Sequence, residues 1–332
     1  MILTARISIV GPADEPEDYL SDSLGAIFPD DVTNSHGDPD QSLLYTSPYL
    51  PNPLEVRVAD PIETKDRLLF SHYLWNASLL LAELVEAGSL VGVVLEPELG
   101  VFQDMTAAAA ENGQTELQEN GNVSSQDVAA AGTGRRVSAS DFDIRGKSTL
   151  EVGAGTGLPS MLAALLGASE VTAVDYPTPS GRRHAAEERP VQHAAQVLAV
   201  GCRGAAHPRG RARLGRARHP FALENRHKFD RLFVCDCLWM PDQHANLQRS
   251  VAWFMKEGPE SRAWVIAGFH SGRSKMAGFF GREALEAVGL EVEYIWERDC
   301  EGVERPWSPD RGSEDPGVRK RWLTIGILRR IT

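Results

Sequence analysis

The sequence predicts an α/β fold: a mainly parallel sheet covered by helices on both faces. Three observations carry this. From Phe142 onward, short apolar runs alternate with helical ones. A glycine loop, "EVGAGTGLPS" from Glu151, joins the first strand of that series to its first helix. An acid, Asp175, ends the next strand, 22 residues after Gly153.

Taken in order, residues 1–95 form an N-terminal extension. It holds an alternating strand in "LEVRVADP" from Leu54 and a helix in "DRLLFSHYLWNASLLLAELVEAG" from Asp66. Leu69, Tyr73, Leu80 and Leu84 recur at helical spacing and make that helix amphipathic, with Gly88 as its stop. Residues 96–140 change character. They carry seven acidic and two basic residues and no aromatic after Phe102, which predicts a disordered insertion. The core is residues 141–332. Its strands are expected at Thr149–Val152, Glu170–Val174, Arg231–Cys235, Ala263–Gly268, Leu290–Trp296 and Arg321–Leu328, and its helices at Pro159–Leu166, Gln243–Glu257 and Ser274–Val288. A polar loop, Asp299–Arg319, replaces a helix between the last two strands, so the final strand is expected to return antiparallel.

Composition narrows the partners. A net charge of −12 over 332 residues argues against a general nucleic-acid binder, which needs a basic face. The four cysteines are Cys202, Cys235, Cys237 and Cys300. Cys235 and Cys237 flank one residue, and in an extended strand their thiols would point to opposite faces. No disulfide, metal clip or zinc framework is expected. "MILTARISIVGPADEPED" has too short an apolar run for a secretory signal or a membrane span. The expected location is the cytoplasm, where the sequons at Asn76 and Asn122 carry no meaning.

Gly153, Gly155 and Gly157 let backbone approach a ligand and take up positive φ. Pro159 sits in the first helical turn, where a missing N–H does no harm. Asp175 can accept both ribose hydroxyls of an adenosine. Two ligands compete. A dinucleotide loop, G-x-G-x-x-G, would put a third glycine where Leu158 stands. The pattern present is E-x-G-x-G-x-G, and a carboxylate at Glu151 would repel a pyrophosphate. It is compatible with S-adenosylmethionine, which carries an ammonium and a sulfonium.

"LEVGAGTGLPSMLAALLGASEVTAVDYP" resembles the seven-strand methyltransferases of family 16. Three further stretches match: "GAIFPDDVTNSHGDPD" from Gly25, "LFSHYLWNASLLLAELVE" from Leu69 and "FDRLFVCDCLWMPDQHANL" from Phe229. The nearest resemblance is to a fungal branch described both as nicotinamide N-methyltransferase-like and as N-terminal and lysine methyltransferases of translation elongation factor 1-alpha. The resemblance implies a Rossmann-like sheet ordered 3-2-1-4-5-7-6 with strand 7 antiparallel. It places S-adenosylmethionine against Trp75, the loop Gly153-Ala154-Gly155, Asp175 and the backbone of Cys235, whose thiol is expected to be inert. With Glu151 and Gly157 these are the candidate cofactor residues, and no metal is implied. Trp75 has a plain alternative as a core aromatic.

The family carries an acid, two residues and an aromatic just past its fourth strand. Here these are Asp236 and Trp239, the candidate catalytic residues, with Trp where many relatives have Tyr or Phe. The implied reaction is in-line displacement by a nitrogen lone pair. Alignment can contribute up to ~7–11 kcal/mol. The amine must be unprotonated, and an α-amine (pKa near ~8) meets this more readily than lysine (near ~10.4). Asp236 can hold the amine, although a carboxylate also favours the ammonium form. The Trp239 face can stabilise a cation by roughly 0.5–2 kcal/mol; plain packing is the alternative. The implied activity is protein N-methylation, on the N-terminal amine or a near-terminal lysine of elongation factor 1-alpha. A nicotinamide-like small molecule and a catalytically impaired binding relative are the competing readings.

One stretch departs from the family. Ser180–His219 holds nine arginines, no lysine, and four of the chain's nine histidines, for a charge of +7 (nine Arg less Glu187 and Glu188). The third strand and a second cofactor-contacting tryptophan cannot be found there. Residues 178–220 read as an arginine-rich tail, a natural disordered loop, or GC-rich DNA translated out of register; the last reading is favoured, with the frame resuming near "PFALENRHKFD". A missing third strand would cost the sheet an edge and the cofactor a wall.

Overall fold

The computed structural model describes residues 2–10, 32–37, 42–47, 50, 52–58, 73–90, 137–175 and 220–331. Of the insertion expected at 96–140, residues 96–136 lie outside them, as do residues 178–219 of the odd stretch at 178–220, Cys202 and Asn122; the last four residues of the expected insertion are described, and Ala139–Phe142 forms a short 3-10 turn. In chain order the strands are β1 (Ile7–Val10), β2 (Ser35–His36), β3 (Ser42–Tyr45), β4 (Leu54–Arg57), β5 (Leu74–Trp75), β6 (Ser148–Val152), β7 (Glu170–Val174), β8 (Arg231–Cys235), β9 (Arg262–Gly268), β10 (Leu290–Asp299), β11 (Glu304–Pro306) and β12 (Trp322–Arg330). The helices are α1 (Asn76–Ser89), α2 (Leu158–Leu165), α3 (Pro220–Glu224), α4 (His244–Phe254), α5 (Arg273–Ala277), α6 (Arg282–Glu286) and α7 (Pro316–Lys320).

Seven strands form one mixed sheet in the order β11-β10-β12-β9-β8-β6-β7. β7, β6, β8 and β9 are mutually parallel, and β12 runs antiparallel to both β9 and β10. The fold is therefore α/β and Rossmann-like, with the antiparallel strand where expected. Six strands follow the expected order. The seventh differs: it is β11, paired antiparallel to β10 at the far edge. The seat expected for a third strand falls in residues 176–219, and among the described residues β7 is the edge.

Alternate residues of the central strands feed the two faces. Phe233, Cys235, Trp264 and Ile266 join α1 and α2 on one side. Leu232, Val234, Ala263 and Val265 join α4 and α6 on the other. Burial on both faces explains why β8 and β9 read as near-continuous apolar runs. Trp264 stacks on Phe233 at 5.4 Å between ring centres and meets Phe142 at 5.0 Å. The small antiparallel sheet β1-β3-β4 adds Leu43, Tyr45, Leu54 and Val56 to the α1 side.

Several expected elements are redrawn. The helix predicted from Asp66 is not continuous: Leu74–Trp75 is extended and pairs with Ser35–His36, and α1 starts after it at Asn76, while residues 66–72 lie outside the described residues. Asn76 Nδ2 donates to the Thr33 carbonyl at 2.8 Å, and its Oδ1 lies 2.7 Å from His36 Nε2. The sequon asparagine is thus enclosed. Nor is α1 amphipathic in place: all 14 of its residues are buried. Glu83 accepts from Arg6 Nε at 3.0 Å and from Arg298 Nη2 at 2.8 Å, and Glu86 from Arg6 Nη1 at 3.4 Å. Burial pushes the Glu86 carboxyl up to about 7, against the lowering influence of Ser47, Arg6 and Tyr45. The helix predicted at 243–257 stops at Phe254, where Met255 turns extended and bridges Phe229. That predicted at 274–288 breaks at Gly281, whose extended backbone follows a tight turn burying both Phe279 and Phe280. The polar loop after Asp299 contains β11 and α7.

Candidate active site

All four parallel strands end at one edge, and the chain that follows each end builds the site. After β6, Gly153, Gly155 and Gly157 all adopt left-handed backbone, with φ of 69°, 51° and 72°. The N–H groups of Gly153 and Ala154 donate to the Val174 carbonyl at 2.9 and 3.2 Å, which ties the loop to the end of β7. Asp175, exposed at that end, accepts from the Gly155 N–H at 2.5 Å. Leu158, which stands where a dinucleotide loop wants glycine, is completely buried as the first residue of α2.

Glu151 lies beneath the loop with no exposed surface. Its Oε2 accepts from the Ser160 N–H at 3.1 Å, so it satisfies a donor in the first turn of α2. Burial pushes its carboxyl up to about 8; the Ser160 hydrogen bonds oppose this and the Asp175 charge adds to it. The folded group holds its proton more tightly than an ordinary carboxyl of 4.5. Its contribution to stability is therefore intact below about pH 4.5, is lost as pH rises towards 8, and is constant beyond. The stability of the wild-type chain relative to Glu151→Gln is expected to fall by on the order of 2–4 kcal/mol across that interval. Urea unfolding of both chains at pH 5 to 9 checks this; a difference independent of pH would mean that Glu151 does not titrate there.

After β8 the chain does not stay extended through Cys237, as the sequence suggested. Asp236 is left-handed, with φ of 55°. Its N–H donates to the Ile266 carbonyl at 2.8 Å, and its Oδ1 accepts from the Gly268 N–H at 2.9 Å. Cys237 Sγ sits 3.4 Å from the Val152 carbonyl and beneath Gly153, where a Cβ would come within 2.6 Å of it. Cys235, Cys237 and Cys300 are free thiols. Burial raises the pKa of Cys235 and Cys237 above the ordinary thiol value, and nearby carboxylates add to the rise, so neither is a ready nucleophile. Trp239 is half-buried in the turn that follows, which His244 steadies through a 2.9 Å contact of Nε2 with the Leu238 carbonyl.

The residue that sequence reasoning missed is His270. Its Nε2 lies 3.1 Å from both carboxylate oxygens of Asp236. The ring folds back over Gly268, where a Cβ would approach Nε2 to 2.7 Å. Trp75 meets the same ring edge to face, 4.9 Å between centres. Burial alone would lower the His270 pKa; the charge and hydrogen bond of Asp236 outweigh it and raise the group above its ordinary value. The only sequence signal was a histidine in "AGFHSG", two residues past a strand end. A continuous run of contacts thus joins Trp75, His270 and Asp236, and Cys237 links the segment after β8 to the glycine loop and Asp175. The left-handed loop, open around Gly157, and the exposed carboxylate beyond it suit a nucleoside with a ribose diol.

No family model matches the chain. It is 30% identical over 177 residues to a Gibberella zeae protein named protein N-terminal and lysine N-methyltransferase EFM7; the match covers 47% of this chain and 61% of that protein. A Schizosaccharomyces pombe protein of the same name is 24% identical over 185 residues, covering 55% of this chain and 67% of the relative. The chain thus spans about three fifths of the Gibberella protein's length. Among solved structures, an RNA methyltransferase described as such from Pyrococcus horikoshii aligns with a TM-score of 0.31 at 16% identity, over 57% of this chain and 77% of that one. An S-adenosylmethionine-dependent methyltransferase from Mesorhizobium loti aligns with a TM-score of 0.32 at 14% identity, over 56% and 92%. The chain is similar in sequence to fungal protein N-terminal and lysine N-methyltransferases and carries a Rossmann-like α/β sheet.

Proposed function

We propose that this chain is an S-adenosylmethionine-dependent methyltransferase that modifies a protein amine in the cytoplasm. The observation that carries the reading is the meeting, at one sheet edge, of a left-handed glycine loop, an exposed acid hydrogen-bonded to it, and a second acid on the neighbouring strand end. Similarity to proteins named N-terminal and lysine N-methyltransferases supports a protein acceptor. We take that acceptor to be the N-terminal amine or a near-terminal lysine of elongation factor 1-alpha.

The cofactor, when bound, supplies a methyl group already activated by its sulfonium. The chain's residues then have three tasks. Asp175 and the Gly153–Gly157 backbone hold the nucleoside. Glu151, which is out of reach of solvent, keeps the loop and α2 in register from below. Asp236 and Trp239, at the end of β8, receive and orient the amine. Asp175→Ala is expected to weaken S-adenosylmethionine binding about 10–100-fold, the loss of charge-assisted hydrogen bonds to the ribose. Calorimetry measures it. Transfer of labelled methyl to purified elongation factor 1-alpha, and not to nicotinamide, is the expected activity. Absence of cofactor binding by the wild-type chain would overturn the reading.

A further inference from the structure

We propose that His270, held by Asp236, is the group that takes the proton from the acceptor amine. This rests on the methyltransferase reading above and adds a catalytic residue to it.

The argument is geometric first. His270 follows β9 and Asp236 follows β8, adjacent parallel strands whose ends define the site. The imidazole spends Nε2 on the carboxylate, at 3.1 Å from each oxygen. Nδ1 makes no hydrogen bond to a described residue. The side chain is 26% exposed whereas that of Asp236 is 7% exposed, so of the two the histidine is the one that faces outward. Trp75 bounds the ring on one side and Gly268 leaves room beneath it. The charged group facing the ring is Asp236; Arg273, three residues on, is committed to Glu297 and Glu314. The backbone defends the arrangement as well, since Asp236 sits in a left-handed conformation that few residues other than Gly, Asn and Asp adopt readily.

The chemistry supplies the need. An aliphatic amine is an ammonium at neutral pH and has no lone pair to attack with. A bare carboxylate is too weak a base for it and stabilises the ammonium instead. An imidazole beside a carboxylate has its basicity raised towards that of an α-amine, the match that general-base catalysis favours. In the step, an N–H bond of the ammonium breaks, its electron pair stays on nitrogen, and the proton passes to Nδ1. Asp236 then faces an imidazolium, and the exposed edge of the ring returns the proton to water. A pyridine acceptor carries no such proton at neutral pH and would leave the pair without a task.

Two measurements test this on the full chain. In the first, the imidazoles are titrated by nuclear magnetic resonance, His270 being identified by its absence from His270→Gln. Its pKa is expected above 6.5 in the wild type and lower in Asp236→Asn, a variant that keeps the left-handed residue and the bond from Gly268. In the second, kcat/KM for methyl transfer to elongation factor 1-alpha is followed from pH 6 to 9.5. The wild-type profile should rise through the His270 pKa. His270→Gln should lose that inflection and at least 100-fold in rate at pH 7, regain part of the rate at high pH, and bind S-adenosylmethionine within threefold of wild type. A wild-type profile retained by His270→Gln, or a His270 pKa unmoved by Asp236→Asn, overturns the proposal while leaving the methyltransferase reading intact. A wild-type chain that binds no cofactor overturns both.

Discussion

Gly153→Ala is expected to unfold the loop locally and abolish S-adenosylmethionine binding. Two independent penalties meet at this position. The residue sits at φ of 69°, where an L side chain costs about 1–2 kcal/mol. Its new Cβ would also lie 2.6 Å from Cys237 Sγ, which is itself fixed between the Val152 and Cys235 carbonyls. Overpacking of that kind adds about 1–3 kcal/mol. Gly157→Ala is the control. It has the same handedness, φ of 72°, but meets nothing within 4 Å, so it should lose only the conformational part. Adding Cys237→Ala to Gly153→Ala should recover the steric part and nothing more. Thermal unfolding and calorimetry with the cofactor, applied to all four chains, separate the two contributions. Equal losses at 153 and 157 would show that Cys237 does not set the position of the loop.

Glu83→Ala is expected to be the most damaging single change away from the site. Glu83 is 5% exposed and serves two guanidiniums at once, those of Arg6 and Arg298, which are 3% and 6% exposed. Removing it leaves Arg6 only its longer 3.4 Å contact with Glu86 and takes from Arg298 its 2.8 Å carboxylate partner, and breaking a buried pair costs on the order of 3–5 kcal/mol. A fall in Tm on the order of 10 °C follows. The pair Glu83→Met with Arg298→Met should recover the part of the loss that belongs to Arg298, because that guanidinium leaves together with its partner, and should retain the part that belongs to Arg6. Differential scanning calorimetry of the two variants checks both statements. A Glu83→Ala chain as stable as wild type would mean that water reaches the guanidiniums.

What the sequence disclosed depended on how local each cause was. The strands of the core and the glycine loop were legible to within two or three residues, since burial on both faces writes apolar runs and left-handed turns write glycines. The start of α1 was not. Leu74 and Trp75 fit a helical period, and only their pairing with Ser35 and His36 makes them extended. The burial of Glu83 and Glu86 was not legible for the same reason: the arginines that draw them inside stand at positions 6 and 298. At the site, Asp175 and Asp236 were marked by their places after strands. His270 was not, because what brings it to Asp236 is the turn at 236 and the bare backbone at Gly268, neither of which has a periodic signature. Likewise, a carboxylate two residues before a glycine loop gives no hint of whether it looks at a ligand or at a helix end, and Glu151 looks at the helix end.

The three-residue bridge through Glu83 also dictates an order of assembly. Its members stand 77 and 215 positions apart along the chain. A ribosome therefore delivers Arg6 first, Glu83 next, and Arg298 only 215 residues after Glu83. Until then Glu83 has only the first of these two guanidiniums to pair with. Contacts this far apart along the chain slow folding, because the loops between them must close before the contacts form.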